Sequence, residues 1–201
     1  MTTKADFRNL LRRTLEDTSL AAPLWADATL DDAIADALVR YGAMVPLETR
    51  SSVAVPLDAV QISVAGLESE SWIVAVRDPA GRLIEPIGRD DAVPAQGWRW
   101  WNGAIELHRP AIAGDWTIDW RAPRTLPPLD IDAMPIQSGD DPAVASLAAA
   151  SVLRRFAVEE AKRGSRGSET FLSLAMQFDR EGERLVWNRG RFLRGSFARR
   201  S

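Results

Sequence analysis

Few residues in this 201-residue chain have the type and spacing to carry covalent chemistry. His108 is the one histidine, at the end of a predicted strand beside Arg109 and Pro110. As a general base it needs a nucleophile and an orienting partner, and neither stands near it in sequence, so a surface or structural role is expected. The chain has no cysteine, which excludes disulfides, thiolate metal sites, iron–sulfur clusters and a cysteine nucleophile. Asp27, Asp31, Asp32 and Asp36 could be read as a metal cluster. They also crowd the start of a predicted helix, where the dipole favours negative charge, and that is the reading taken here. Asp130, Asp132, Asp140 and Asp141 lack the spacing of a calcium loop. The run GSRGSE at 164–169 lacks the Walker lysine and a preceding strand, and no G-x-S-x-G elbow occurs. The expectation is a chain that is not an enzyme and takes no cofactor or metal.

Binding chemistry is better represented. Trp98, Trp100, Trp101, Trp116 and Trp120 lie on neighbouring predicted strands and could stack on sugars or single-stranded bases from an exposed face. Strand alternation puts Trp98 and Trp100 on one face and Trp101 on the other, with Trp116 and Trp120 sharing a face. A small β core or a subunit contact fits that spacing better than a five-tryptophan platform. The C-terminal run WNRGRFLRGSFARRS holds five arginines and no acid. Trp187, Phe192, Leu193 and Phe197 interleave with Arg189, Arg191 and Arg194, and these seven residues are the candidate partner-binding set. Such a tail can bind phosphates, or dock on an acidic protein surface and fold as it binds. The interleaved apolar residues favour a protein groove.

These residues need elements to position them. With 46% hydrophobic and 26% charged residues the chain is neither disordered nor fibrous. A net charge of -3 argues against a global nucleic-acid or membrane role. The N-terminus has no apolar signal region, and the most apolar run, 143–153, falls well short of the ~20 residues a membrane span needs. A soluble cytoplasmic protein is the default expectation.

Thr3 and Asp6 resemble a capping box, and Phe7, Leu10, Leu11 and Leu15 recur at helical spacing, predicting a first helix over 4–16. Asp27 is the expected cap of a second helix with Leu30, Ile34, Ala37, Leu38 and Tyr41 inward, and Trp25 just ahead of it as a staple. Pro46 ends that helix. From residue 50 short β-branched and aromatic runs take over at 53–55, 60–64, 72–76, 82–87, 98–101, 104–108 and 116–120. Asn102-Gly103 is the strongest hairpin signal. A proline-rich connector leads to a third helix capped at Asp140 or Asp141, with Leu147 and Phe156 inward. After the break at 164–167 Ser168 caps a fourth helix, with Phe171 and Met176 marking its turns. The fold class expected is α+β: about four helices in a bundle, with an inserted antiparallel β-sandwich or barrel and an extended C-terminal tail. The boundaries are 1–49 for the first helices, 50–126 for the β domain, 127–186 for the connector and later helices, and 187–201 for the tail. The predicted bundle core is Leu10, Leu11, Leu15, Trp25, Leu30, Ile34, Leu38, Tyr41, Leu147, Phe156, Phe171 and Met176.

The opening FRNLLRRTLEDT and the segment PLWADATLDDAIADALVRYGAMVP carry Leu10, Leu11, Leu15, Trp25, Asp27, Leu30, Ile34, Ala37, Leu38 and Tyr41. That arrangement resembles the start of the head–tail connector (adaptor) proteins of tailed bacteriophages, with a short first helix, then a tryptophan and an acid before an inward leucine/alanine face. ELHRPAIAGDWTIDWRAP is similar to a β insertion in some of these adaptors, and DPAVASLAAASVLRRFAVEEAKR fits a later bundle helix. The resemblance spans most of the chain by layout. It implies a structural virion protein of the neck, made in the bacterial host cytoplasm. Its copies would form a ring, commonly of twelve subunits, beneath the portal protein and above a further neck or tail-completion protein. Double-stranded DNA would pass through the channel without sequence-specific binding, and the 187–201 tail would reach the portal. Gene transfer agents use similar parts. Carbohydrate binding by the tryptophan strands and nucleic-acid binding by the arginine tail remain the alternatives.

Overall fold

The computed structural model describes residues 2–19, 22–87, 97–164 and 167–197, with 189–197 as backbone alone. The chain forms two compact units. One comprises residues 1–45 and 124–201, and the other, Pro46–Pro123, is inserted between them. Among the described residues the fold is mixed α+β, with four α-helices and a seven-stranded, nearly closed, barrel-like sheet.

Helix α1 spans Lys4–Thr14. Its capping box is formed: the Asp6 amide donates to Thr3 Oγ1 at 3.2 Å and the Thr3 amide to Asp6 Oδ2 at 3.4 Å, satisfying amides a helix start leaves free. Helix α2 spans Asp27–Met44, and its cap is Ala26 rather than the expected Asp27. The Asp27 carboxylate goes instead to Arg12 Nη2 at 2.6 Å, a charged partner that competes successfully with the backbone. Helix α3 spans Asp141–Lys162, with Asp140 at its cap and Pro142 in its first turn. Helix α4 spans Ser168–Phe197.

Helix α3 is the central element, packing against α1, α2 and α4. Residues 143–150 are buried all round, which explains why this stretch is alanine-rich rather than amphipathic. The core gathers Phe7, Leu11, Trp25, Leu30, Ile34, Leu38, Tyr41, Val144 and Leu147, with Leu10, Leu15 and Phe156 partly buried against it. Trp25 meets Phe156 edge-on at 5.0 Å, and Phe156 meets Phe171 at 4.7 Å. Met176 departs from the expectation: it is 47% exposed. Gly182 of α4 abuts Leu147 and the Ala143 carbonyl of α3, Ala175 is the fully buried residue earlier on α4, and Met176 lies about 100° round the helix from Ala175.

The expected extended tail is also corrected. Residues 187–197 continue α4 as helix. No proline interrupts them, arginine is a good helix former, and Gly190 and Gly195 each cost only about 1 kcal/mol relative to alanine. The expected tail residues 198–201 lie outside the described residues.

In the inserted unit β1 is Leu47–Val55, β2 Gln61–Ile62, β3 Ile73–Arg77, β4 Leu83–Pro86, β5 Gly97–Trp101, β6 Ala104–Leu107 and β7 Gly114–Ala122. The order is β1-β7-β3-β4-β5-β6-β2. Neighbours run antiparallel except β4 and β5, which pair in parallel through Glu85–Gly97 and Pro86–Trp98. Alternation of polarity along a strand does not encode the direction of its neighbour. The β5–β6 hairpin turns at Asn102 (φ 50°) and Gly103 (φ 78°), the paired positive angles of a type I′ turn. Val55, Ile62, Val76, Ile84, Trp98, Ile105, Trp116, Ile118 and Trp120 fill the interior. Among the described residues no helix is long and apolar enough to cross a membrane.

Candidate interaction surfaces

The four helix-associated acids stand opposite cations. Lys4, Arg8 and Arg12, spaced four apart, form one stripe of α1 facing the start of α2. Arg8 grips Asp31 with two bonds, at 2.9 and 3.0 Å, and reaches Asp130 at 3.0 Å. Lys4 Nζ lies 3.0 Å from Asp31. Burial pushes the Asp31 carboxyl up, but the hydrogen bonds from Arg8 and Lys4 outweigh it and hold the group below the usual carboxylate value. Asp32 and Asp36 both bind Arg155 of α3, at 3.2 and 2.6 Å. This arrangement binds α2 to its neighbours and leaves the acids already engaged by side-chain cations.

The tryptophans divide as strand alternation requires. Trp98, Trp116 and Trp120 are buried, and Trp100 packs partly buried against the same core. Their indole groups are spent inside the unit. Trp98 Nε1 donates to the Ile84 carbonyl at 3.1 Å, Trp116 to the Ile112 carbonyl at 3.1 Å, and Trp120 to Ser51 Oγ at 3.0 Å. Trp101 alone of these faces outward, 60% exposed, with the Arg99 guanidinium 5.6 Å from its ring centre. His108 is exposed on the β unit.

The remaining candidates lie on α4. A Cβ on Gly182 would sit 2.9 Å from the Ala143 carbonyl oxygen, which places Gly182 beside the start of α3. Phe197 is fifteen residues further on, so α4 runs about 20 Å past that point. Trp187, at the root of this arm, is 66% exposed. Arg189, Arg191, Phe192, Leu193, Arg194 and Phe197 share the helical backbone, and their side chains lie outside the described residues. All 28 acidic residues of the chain precede the arm. Further exposed apolar side chains are Leu172 and Leu174 on α4, Val39 on α2, Val158 on α3, and Leu129 and Ile131 in the connector.

Three structurally central residues gave no local signal. Asp17 is buried and accepts bonds from the Leu24 and Trp25 amides and from Arg12. Arg124 is buried beneath Tyr41. Asp179 binds Arg40 of α2 and Arg154 of α3 together. Each partner lies far enough along the chain that spacing could not reveal it, except Arg12, five residues before Asp17. A scan against protein-family models and a search of curated proteins each return no match for this chain.

Proposed function

We propose that this chain is a structural virion protein: a head–tail adaptor whose copies form a ring beneath the portal, extend the DNA channel and join the capsid to the neck or tail. In this reading the four helices act as a bundle carrying the β unit as a platform, and the α4 arm reaches a partner. One observation carries it. A β unit is inserted between α2 and α3 of a helical unit, and the last helix of that unit runs on into an arm rich in arginine and aromatic residues. The layout resembles that of phage adaptors, and the polar groups described above are spent on holding the chain together. A chain that offers both a helical and a β unit has unlike surfaces for the heterologous contacts that close into a ring. A chain with more acid than base suits a channel, since strong phosphate binding would hold passing DNA.

The test is co-purification with a portal protein, taken from a neighbouring gene where the source genome carries one there. The chain alone should be a monomer or weak oligomer and should form rings with the portal. Deleting 187–201 should abolish portal binding while the far-UV circular dichroism and thermal transition stay those of a folded protein. Unchanged binding by the truncated chain counts against the adaptor reading, as does a gene neighbourhood without portal, capsid or tail genes. Carbohydrate binding through the tryptophan strands is disfavoured by the burial of Trp98, Trp116 and Trp120. Nucleic-acid binding by the arm predicts an affinity that falls steeply with salt.

A further inference from the structure

The chain leaves the helical unit after Val45 and re-enters it at Arg124. Bringing two points so far apart in sequence together has an entropic cost that some local contact must offset. Arg124 Nε donates to the Val45 carbonyl at 2.8 Å, so the first residue after the excursion holds the last residue before it. Its Nη1 donates to the Pro135 carbonyl in the connector. The guanidinium lies 4.8 Å from the Tyr41 ring centre, and its aliphatic stem runs past Gly42. Tyr41 in turn donates to Asp140 Oδ2 at 2.5 Å and accepts from the Gln137 amide at 3.3 Å. Arg124, Tyr41 and Asp140 are all buried.

We infer that Arg124 is a clasp: one side chain that closes the gap in the helical unit left by the inserted unit and ties that closure to the connector ahead of α3. Its planar fork supplies the donors for two carbonyls while its face stacks on an aromatic ring. A lysine, a single point charge, cannot reproduce all three contacts. Opening the clasp frees the Val45 end and the 135–137 segment together. The inference concerns the fold's own joint and does not depend on which partner the protein serves.

Amide hydrogen exchange on the full chain tests it. In Arg124→Gln, exchange at Val45, Ile136 and Gln137 should speed up tenfold or more, while the amides of 144–153 change far less. Tyr41→Phe keeps the ring under Arg124, so Gln137 should loosen and Val45 should keep its protection. Should Arg124→Gln fail to fold, Arg124→Lys carries the same comparison and should release at least one of the two carbonyl segments. Unchanged exchange at Val45 and Gln137, or a rise matched by the same factor across 144–153, would overturn the clasp. So would a Tyr41→Phe variant in which Val45 loosens as much as in Arg124→Gln. Failure of the wild-type chain to bind a portal would concern only the adaptor reading, since the exchange comparison needs no partner.

Discussion

Gly182 of α4 lies against Leu147 of α3 so closely that a Cβ at position 182 would stand 2.8 Å from Leu147 Cγ, and 2.9 Å from the Ala143 carbonyl oxygen. The second neighbour is backbone of a buried helix and cannot step aside. Glycine there sets the distance between the two helices.

Gly182→Ala should therefore destabilise the protein, by about 1–3 kcal/mol for overpacking, even though alanine gains about 1 kcal/mol of helix propensity. Chemical denaturation followed by circular dichroism measures the balance. A stability equal to or above that of the wild type would show that α4 can move away at no cost.

The two classes of tryptophan should separate cleanly. Trp116 is fully buried, with its indole bonded to the Ile112 carbonyl, so Trp116→Ala should cost about 3–5 kcal/mol. Trp101→Ala, on the outer face, should stay within about 0.5 kcal/mol. Tryptophan fluorescence titrated with oligosaccharides should stay flat; a saturable change lost in Trp101→Ala would revive the carbohydrate reading.

The α1–α2 contact should weaken in acid. The folded-state pKa of Asp31 lies below its unfolded value, because Arg8 and Lys4 bond the ionised form more strongly than burial opposes it. The stability this contributes is fully present above the unfolded value of about 3.9, and is lost as pH falls through the lower folded value. Asp31→Asn should cost about 1–3 kcal/mol near neutrality, since Arg8 and Lys4 then lose their shared carboxylate. The gap between variant and wild type should shrink below pH 4. A gap independent of pH would assign the loss to packing.

Because 187–197 are helical, removing 187–201 should lower the far-UV helical signal by about those eleven residues. A truncated chain with the same total ellipticity would return the arm to an extended segment.

Local signals carried over well where a residue's neighbours in sequence are also its neighbours in space. The Thr3–Asp6 box, the Asn102-Gly103 turn and the split of Trp98 from Trp101 all depend on contacts within a few residues. Spacing points to Asp27 as a cap because its partner, Arg12, sits on another helix and leaves no mark nearby. Spacing puts Met176 in the core because it marks a stripe without saying which edge of that stripe meets a neighbour. Two glycines and a run of arginines resemble a frayed end, and nothing local shows that the helix before them carries on.

Composition and periodicity by themselves determined that this chain makes four helices and a set of short strands, with a mixed α+β fold. Those choices follow from backbone sterics and alternating polarity, which act over a turn or two. Tertiary structure alone decided the parallel pairing of β4 with β5, the burial of residues 143–150 of α3 on every side, and the union of Val45, Tyr41, Arg124 and Asp140 at one joint. The bonds there join residues up to 99 positions apart. Such contacts form only after the chain has paid the entropy of closing the intervening loop, and no short-range pattern records where that happens.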